Sequence, residues 1–277
     1  MKKIPFILFS ILLICLVVFV YLKFSPTTYP SHIIFFNIGQ GDSALIFLPN
    51  NLKVLVDCGP NKTILSKLGE RLSFFDKTID YLIITHPDLD HYGGCSAVLK
   101  NYKIKNIVMN VDKKNDEYYK EFSQAVDSEQ ANIKIIDQAQ KWQAGNYFFE
   151  FLSPDSSFGD LAGNDNSIVF RLVGGKQTVL FTGDLETTAE KLVVEKYCGV
   201  ELVNCDKLKS DILKAGHHGS DTSSSDDFLS AVQPTTAIIS VGKNSFGHPS
   251  LRTLNKLERA GTTILRTDEE GDIIILE

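Results

Sequence analysis

The chain has 277 residues, 43% hydrophobic and 22% charged, which is enough apolar material for one large domain or two small ones with a well-buried core. Its 28 basic and 34 acidic residues leave a net charge of −6. Avid non-specific binding of a polyanion needs many cationic contacts, so that class of function is disfavoured from the outset.

At the amino end, Lys2 and Lys3 precede an apolar run, Ile4 to Leu22, interrupted only by Pro5 and Ser10. About twenty apolar residues cross a bilayer as a helix. The run exceeds the apolar core of a cleavable signal, and it ends in Val20-Tyr21-Leu22-Lys23 without small residues for a peptidase. The expectation is an N-terminal transmembrane helix within residues 1–25, with a cleaved signal as the alternative. Ile14 before Cys15 is a poor fit to a lipoprotein site. Two lysines before the span and one after it predict an inside amino terminus and an extracytoplasmic body, or a secreted one if the segment is removed. Residues 26–31, PTTYPS, read as a proline-bearing linker. Without Lys2, Lys3 and Lys23 the body keeps 25 of the 28 basic residues against 34 acidic, a net −9. Any nucleic acid would have to be held locally.

From residue 32 onward, HIIFFNI, SALIFLP and LKVLVD are short β-rich runs separated by the turn formers GQGD and NN, which predicts three strands in meander order. TILSKLGERLSFF carries apolar residues at helical spacing, IDYLIIT is a buried strand, GGCSAVLKNY starts a second helix and KNIVMN is another strand. A polar helix, DEYYKEFSQAVDSEQ, and a strand, NIKIID, follow. The second half repeats the style, with strands in YFFEFLS, SIVFRLV and QTVLFTG, a helix in TTAEKLVVEKYC, a strand in DILKAG, a helix in SDDFLSAV and a strand in TTAIISV. SLRTLNKLERA, a helix, and two short strands end the chain. Two sheet-plus-helix halves predict a four-layered α+β sandwich with helices on both outer faces. No low-complexity segment or short-period repeat is present.

Cys58, Cys95, Cys198 and Cys205 lie in the body. An exported setting permits disulfides. Four cysteines allow three connectivities, pairing Cys58 with Cys95 and Cys198 with Cys205 among them, and buried thiols are the other reading.

The potential ligands fall at strand ends. THPDLDHYGG puts His86, Asp88, Asp90 and His91 after one strand; LVDCG ends another at Asp57, LFTGD a third at Asp184, LKAGHH a fourth at His217 and His218, and His248 follows a fifth. A lone aspartate at a strand end is usually a cap. If these rims converge, several carboxylates meet, and without a cation their repulsion would raise pKa values or open the site. Imidazole and carboxylate together suit zinc, with manganese possible. His32 stands apart and reads as structural.

THPDLDH, LFTGD, HHGS and FGHPS resemble the successive metal motifs of the metallo-β-lactamase superfamily, whose fold is an αββα sandwich. The wider set, NIGQGDSALI, LVDCG, HPDLDHYGG, LFTGDL, LKAGHHGSDTSSS and GHPS, is similar to the carboxy-terminal hydrolase domain of the ComEC family of DNA-uptake competence proteins. The likeness covers nearly all of residues 32–277 and implies a metal-dependent hydrolase binding two divalent ions. His86 and Asp88 would hold the first, Asp90 and His91 the second, and Asp184 would bridge them. The family's second histidine is replaced by Asp88. No histidine lies between His91 and His217, so Asn164 or Asp165 of GNDNS, or water, would fill the remaining place on the first ion. His218 would complete the second site, His217 and His248 would face substrate, and Asp57 would fix an imidazole from behind. Two such ions can activate a shared water for phosphodiester hydrolysis.

Several readings then compete: a nuclease or phosphodiesterase acting on DNA, with a separate DNA-uptake channel protein as a conceivable partner; a hydrolase of another phosphoester or ester, such as cell-envelope phosphorylcholine esters; and a non-catalytic surface binding module. The turn GQGDS reads as a tight hairpin, or as glycines that bring backbone donors close to an anion. Lys214, Lys243 and the hydroxyls of GSDTSSS are candidates for phosphate contact.

Overall fold

The structure is a computed structural model describing residues 3–24, 29–199 and 201–276, with side chains of the first segment described over 7–21. Lys3–Phe24 form helix α1, whose apolar side chains over 7–21 are mostly exposed. Among the described residues no helix is long and apolar enough to cross a membrane. The expected transmembrane helix is thus met only in that α1 is a helix; the span finds no support among the described residues. Residues 26–28 of the expected linker lie outside the described residues. Tyr29 is packed on the body, its hydroxyl accepting the Ser73 N–H at 3.0 Å and its ring 4.6 Å from that of Phe47.

The body holds two seven-stranded sheets among the described residues. The strands of the first are β1 (His32–Phe35), β2 (Ala44–Leu48), β3 (Leu52–Val56), β4 (Thr78–Ile83), β5 (Lys103–Met109) and β6 (Asn132–Ile135). The second contains β7 (Gln140–Ala144), β8 (Tyr147–Ser153), β9 (Val169–Val173), β10 (Val179–Phe181), β11 (Ile212–Lys214), β12 (Thr236–Ile239) and β13 (Thr263–Arg266); β14 (Ile273–Leu276) returns to the first. The orders are β14-β1-β2-β3-β4-β5-β6 and β13-β12-β11-β10-β9-β8-β7. In each sheet four strands pair antiparallel and the remainder run parallel, β3 to β6 in one and β10 to β13 in the other.

Helices α2 (Thr63–Arg71), α3 (Leu89–Tyr92), α4 (Cys95–Asn101) and α5 (Glu117–Ser128) belong to the first half. Helices α6 (Thr187–Cys198), α7 (Asp226–Val232), α8 (Leu251–Arg259) and the short α9 (Thr267–Glu270) follow. Strand alternation divides the core. Ile33, Phe35, Ile46 and Val56 join Phe170, Phe181 and Ile238 between the sheets, while Ile34, Leu45, Phe47 and Leu55 pack against Leu68 of α2, Val98 of α4 and Phe122 of α5. Leu180, Leu213 and Ala237 face Val193 of α6, Phe228 of α7 and Leu257 of α8. These three apolar layers between four structural layers make the expected αββα sandwich. Two details of the sequence reading change: β7 is an additional strand, and the last strand completes the first sheet.

The parallel crossovers of both sheets deliver their loops to one rim, the carboxyl ends of β3, β4, β10, β11 and β12, the place where open α/β sheets gather ligands. Cys58–Cys95 and Cys198–Cys205 are disulfides. The first ties the residue after Asp57 to the start of α4.

Candidate metal centre

At this rim the side chains of His86, His91, Asp57, Asp184 and His218 are all within a few per cent of complete burial. One ligand atom from each of Asp90, His91, Asp184 and His218 lies within 4.8 Å of the others. His91 Nε2 is 3.2 Å from Asp184 Oδ1, and His218 Nε2 is 3.1 Å from Asp90 Oδ2 and 3.4 Å from Asp184 Oδ2. His86 Nε2 stands 3.9 Å from Asp88 Oδ2 and 4.0 Å from Asp184 Oδ2. Two donors at about 2.1 Å from one ion in tetrahedral geometry are about 3.4 Å apart, the spacing that Asp90, His91, Asp184 and His218 show; His86 stands wider, 3.9 Å and 4.0 Å from its two carboxylates. Asp184 is common to both sets of contacts.

The donor chemistry fits as well as the spacing. The Nε2 atoms of His86 and His91 and Oδ1 of Asp184 are buried without a well-aligned hydrogen bond, an expensive arrangement unless a cation satisfies them. Burial disfavours charge on His91, but the carboxylates of Asp184 and Asp57 outweigh it and hold its pKa well above the usual value. His218, equally buried, is pushed up to about 10 by Asp184, Asp42 and Asp90. Burial and the neighbouring charge of His91 push His86 down to about 4. Protons on two imidazoles thus balance the carboxylates, and a metal would displace them by supplying the same positive charge.

The imidazoles are aimed from behind. Asp57 accepts from Thr85 N–H at 2.8 Å, from Thr85 Oγ1 at 2.7 Å and from His91 Nδ1 at 2.8 Å. His218 Nδ1 donates to the Ser240 carbonyl at 2.8 Å. Each contact leaves Nε2 as the ring atom facing the cluster. His217 and His218 both have positive φ, 46° and 52°, a costly backbone state for residues other than glycine. The loop is braced accordingly: Ser223 Oγ donates to the Gly216 carbonyl at 2.7 Å, Thr253 Oγ1 to Ser220 at 2.6 Å and Lys256 Nζ to Ser223 at 3.1 Å.

The two adjacent histidines separate in role of place. His218 points into the cluster. His217 turns its Nδ1 to Glu186 Oε1 at 2.9 Å and leaves Nε2 3.9 Å from Asp184 Oδ2. His248 lies on the same open side, its ring 5.2 Å from that of His217. Asp88 is about one-third exposed and pairs with Lys114 at 2.7 Å.

Asp165 and Asn164, expected to complete the first ion's ligands, have other partners. Asp165 Oδ1 accepts the N–H groups of Glu186 and Ala189, both at 3.3 Å, so it caps the first turn of α6. Asn164 Nδ2 donates to Glu186 at 3.3 Å and stands 3.5 Å from His217 Nδ1. Lys214 is no phosphate contact: it is buried, ion-paired with Asp42, and donates to the Gly183 carbonyl at 3.0 Å. The hydroxyls of Ser220, Thr222 and Ser223 are spent on one another, on Glu186 and on loop carbonyls.

Asp42 and Glu186 were missed as members of the site. Asp42 lies in the GQGDS turn, which is more than a hairpin. A Cβ on Gly41 would come within 2.4 Å of the Asp90 carbonyl, so glycine alone lets this turn touch the histidine loop, where Asp42 N–H donates to Asp90 O at 3.1 Å. Burial opposes the Asp42 charge, but Lys214 and His218 keep its carboxyl well below the normal range. The close glycines were the available signal in the sequence.

A four-layered αββα sandwich with histidine and aspartate side chains converging from both sheets defines a class of fold that gathers divalent-metal ligands at one rim. Residues 37–243 match the metallo-beta-lactamase superfamily, and the chain belongs to that family. Among curated relatives, ComE operon protein 3 of Bacillus subtilis is 31% identical over 94% of this chain and 34% of its own length. Competence protein ComA of Neisseria gonorrhoeae is 32% identical over 91% of this chain and 33% of its own. Both are ComEC-type competence proteins, and the chain spans about a third of their length. In structure it is similar to the metallo-beta-lactamase fold protein YhfI of Bacillus subtilis, with TM-score 0.55 and 12% identity over 88% of this chain and 99% of that one. Human tRNase Z, short form, has TM-score 0.52 and 12% identity over 88% and 98%. These two likenesses bear on the fold alone.

Proposed function

We propose that the chain is a phosphodiesterase of ComEC-like type that cleaves DNA with two divalent ions, zinc first and manganese second. The observation that carries the reading is the convergence on Asp184 of Asp90, His91 and His218, with His86 4.0 Å from the same carboxylate and Asp88 3.9 Å from His86. His86, Asp88 and Asp184 would hold the first ion; Asp90, His91, His218 and Asp184 would hold the second. The chemistry such ions supply is Lewis acidity, which activates water and offsets charge developing on phosphoryl oxygens.

The chain's own residues arrange that chemistry. Asp57 holds His91 by Nδ1, and the Ser240 carbonyl does the same for His218. Glu186 accepts from His217 Nδ1, so His217 presents Nε2 to a substrate oxygen and can carry a proton there. His248 lines the same open side. The similarity to ComEC-type competence proteins favours DNA as the diester.

The net −9 of the body favours a second reading, hydrolysis of a smaller phosphoester such as a phosphorylcholine ester. The test is a panel of single-stranded DNA, double-stranded DNA, bis-p-nitrophenyl phosphate and p-nitrophenylphosphorylcholine, given to residues 29–277 with zinc or manganese. DNA cleavage that disappears in Asp184→Asn supports the first reading. Turnover confined to the small esters replaces it with the second.

The body would be extracytoplasmic and tethered to a membrane through α1, whose side chains from Ile7 to Tyr21 are largely apolar and exposed. Two disulfides in the body favour an oxidising compartment. Membrane fractionation of cells, with and without residues 1–25, and external protease treatment test this. A body found only in the soluble cytoplasmic fraction would rule it out. A separate channel protein would then complete DNA uptake.

A further inference from the structure

Beside the histidines of the open side the structure displays an aromatic ring that the core does not use. Phe246 is 72% exposed, and its ring centroid lies 5.8 Å from that of His248 at an interplanar angle of 33°. His248 is in turn 5.2 Å from His217 and 6.5 Å from His218. The ring therefore stands one residue's width from the ligand cluster, with a free face.

Its loop is held rather than loose. Asn244 Oδ1 accepts the N–H groups of Phe246 at 3.0 Å, Gly247 at 3.0 Å and His248 at 3.1 Å. Asn244 Nδ2 donates to the carbonyls of Gly242 at 2.8 Å and His248 at 2.7 Å. The loop root is fixed too, because a Cβ on Gly242 would come within 2.3 Å of the Gly39 carbonyl carbon. Exposing a phenylalanine forfeits about 1.5–3 kcal/mol of burial, and a loop pinned by five hydrogen bonds does not relax to recover it. Lys243 and Arg252, both exposed, flank it in the chain. An exposed aromatic ring on which a base can stack, with cations to meet the phosphates, is the kind of surface that holds single-stranded nucleic acid.

We infer that Phe246 is a specificity-determining residue: it stacks the nucleobase adjoining the phosphodiester under attack and so selects an unpaired strand over a phosphoester without a base. This rests on the proposed reading of the site as a nuclease. A base already stacked within a duplex has no face to offer the ring, and a choline ester has none at all.

The test compares KM for a single-stranded oligonucleotide and for an abasic strand of the same length and charge. Base–aromatic stacking is worth about 1–3 kcal/mol per base, so the wild-type chain should prefer the base-bearing strand by about 5- to 150-fold in KM. Phe246→Ala should abolish that preference, and Phe246→Trp should keep it. Thermal melting of each variant checks that the exposed position leaves the fold intact. A preference that survives in Phe246→Ala, or wild-type cleavage of both strands with equal KM, overturns the inference while leaving the nuclease reading in place. Hydrolysis of bis-p-nitrophenyl phosphate with no cleavage of either strand overturns both.

Discussion

Asp57 shows how much of the site depends on a residue that touches no substrate. Its carboxylate takes three hydrogen bonds, from Thr85 N–H, Thr85 Oγ1 and His91 Nδ1, and its φ is 55°. Asparagine tolerates that backbone state, so Asp57→Asn should keep the loop but lose the charged partner of His91. The expected result is metal affinity weaker by about 10- to 100-fold, read by competition with a chromophoric chelator. Unchanged affinity would make Asp57 a purely structural residue. Lys214 and Asp42 form a buried ion pair beneath the cluster, and breaking such a pair from one side costs up to about 3–5 kcal/mol, because the carboxylate left behind then has His218, at 3.4 Å, as its nearest cationic partner. Lys214→Met should therefore lower the denaturation midpoint sharply. Asp42→Asn together with Lys214→Met should be less destabilised than Lys214→Met alone, a non-additivity that denaturant unfolding of both variants measures. The metal-ligand types were legible in the sequence because each histidine and aspartate followed a hydrophobic run. Asp42 was not, since a buried lysine partner 172 positions away leaves no local trace. Asp165, offered as a ligand only by the resemblance, gives no local sign in GNDNS that it accepts the N–H groups of Glu186 and Ala189 at the start of α6.

At the scale of elements, periodicity located nearly every strand and helix, but strand partners are long-range and have no periodicity. β14 is the clearest case. It pairs with β1, Ile273 opposite Phe35 and Leu276 opposite His32, across almost the whole length of the body. Asp272, at its entrance, fixes that return. It binds Lys67 Nζ at 2.7 Å and Arg71 Nη2 at 2.8 Å on α2, and accepts the Asn37 N–H at 3.0 Å. Burial opposes its charge, yet Lys67, Arg71 and Asn37 keep its pKa below the normal carboxylate value. A depressed folded-state pKa means that the unfolded chain takes up the proton first. The stability from Asp272 is thus fully present above its unfolded pKa of about 3.9 and is lost as pH falls through that value toward the folded one. Asp272→Asn should cost roughly 1–3 kcal/mol at neutral pH. Its stability should also decline less steeply than that of the wild-type chain between about pH 5 and pH 3, as urea titrations across that range would show. Parallel slopes in the two proteins would deny Asp272 the role.

For the molecule as a whole, the consequence of the topology is that neither sheet owns the site. His86, Asp88, Asp90 and His91 follow β4 of the first sheet, whereas Asp184 and His218 follow β10 and β11 of the second. Ions held between them would join the two halves of the sandwich at the rim, in place of the histidine–aspartate contacts that bridge the sheets there. Binding to the folded chain alone stabilises it by about 2.7 kcal/mol at a free metal concentration one hundred times Kd, and about 4.1 kcal/mol at one thousand times. For a domain of this size each kcal/mol moves Tm by about 2–4 °C. Zinc or manganese at those concentrations should therefore raise Tm by roughly 5–15 °C over a chelator-treated sample, as scanning calorimetry would measure. Asp184→Asn is the informative control, because Asp184 alone contacts both ligand groups. The metal-induced rise should collapse in that variant even where His86 and Asp88 remain. If the rise persists undiminished there, the ions are held by another set of residues, and the bridge between the sheets is not the source of the effect.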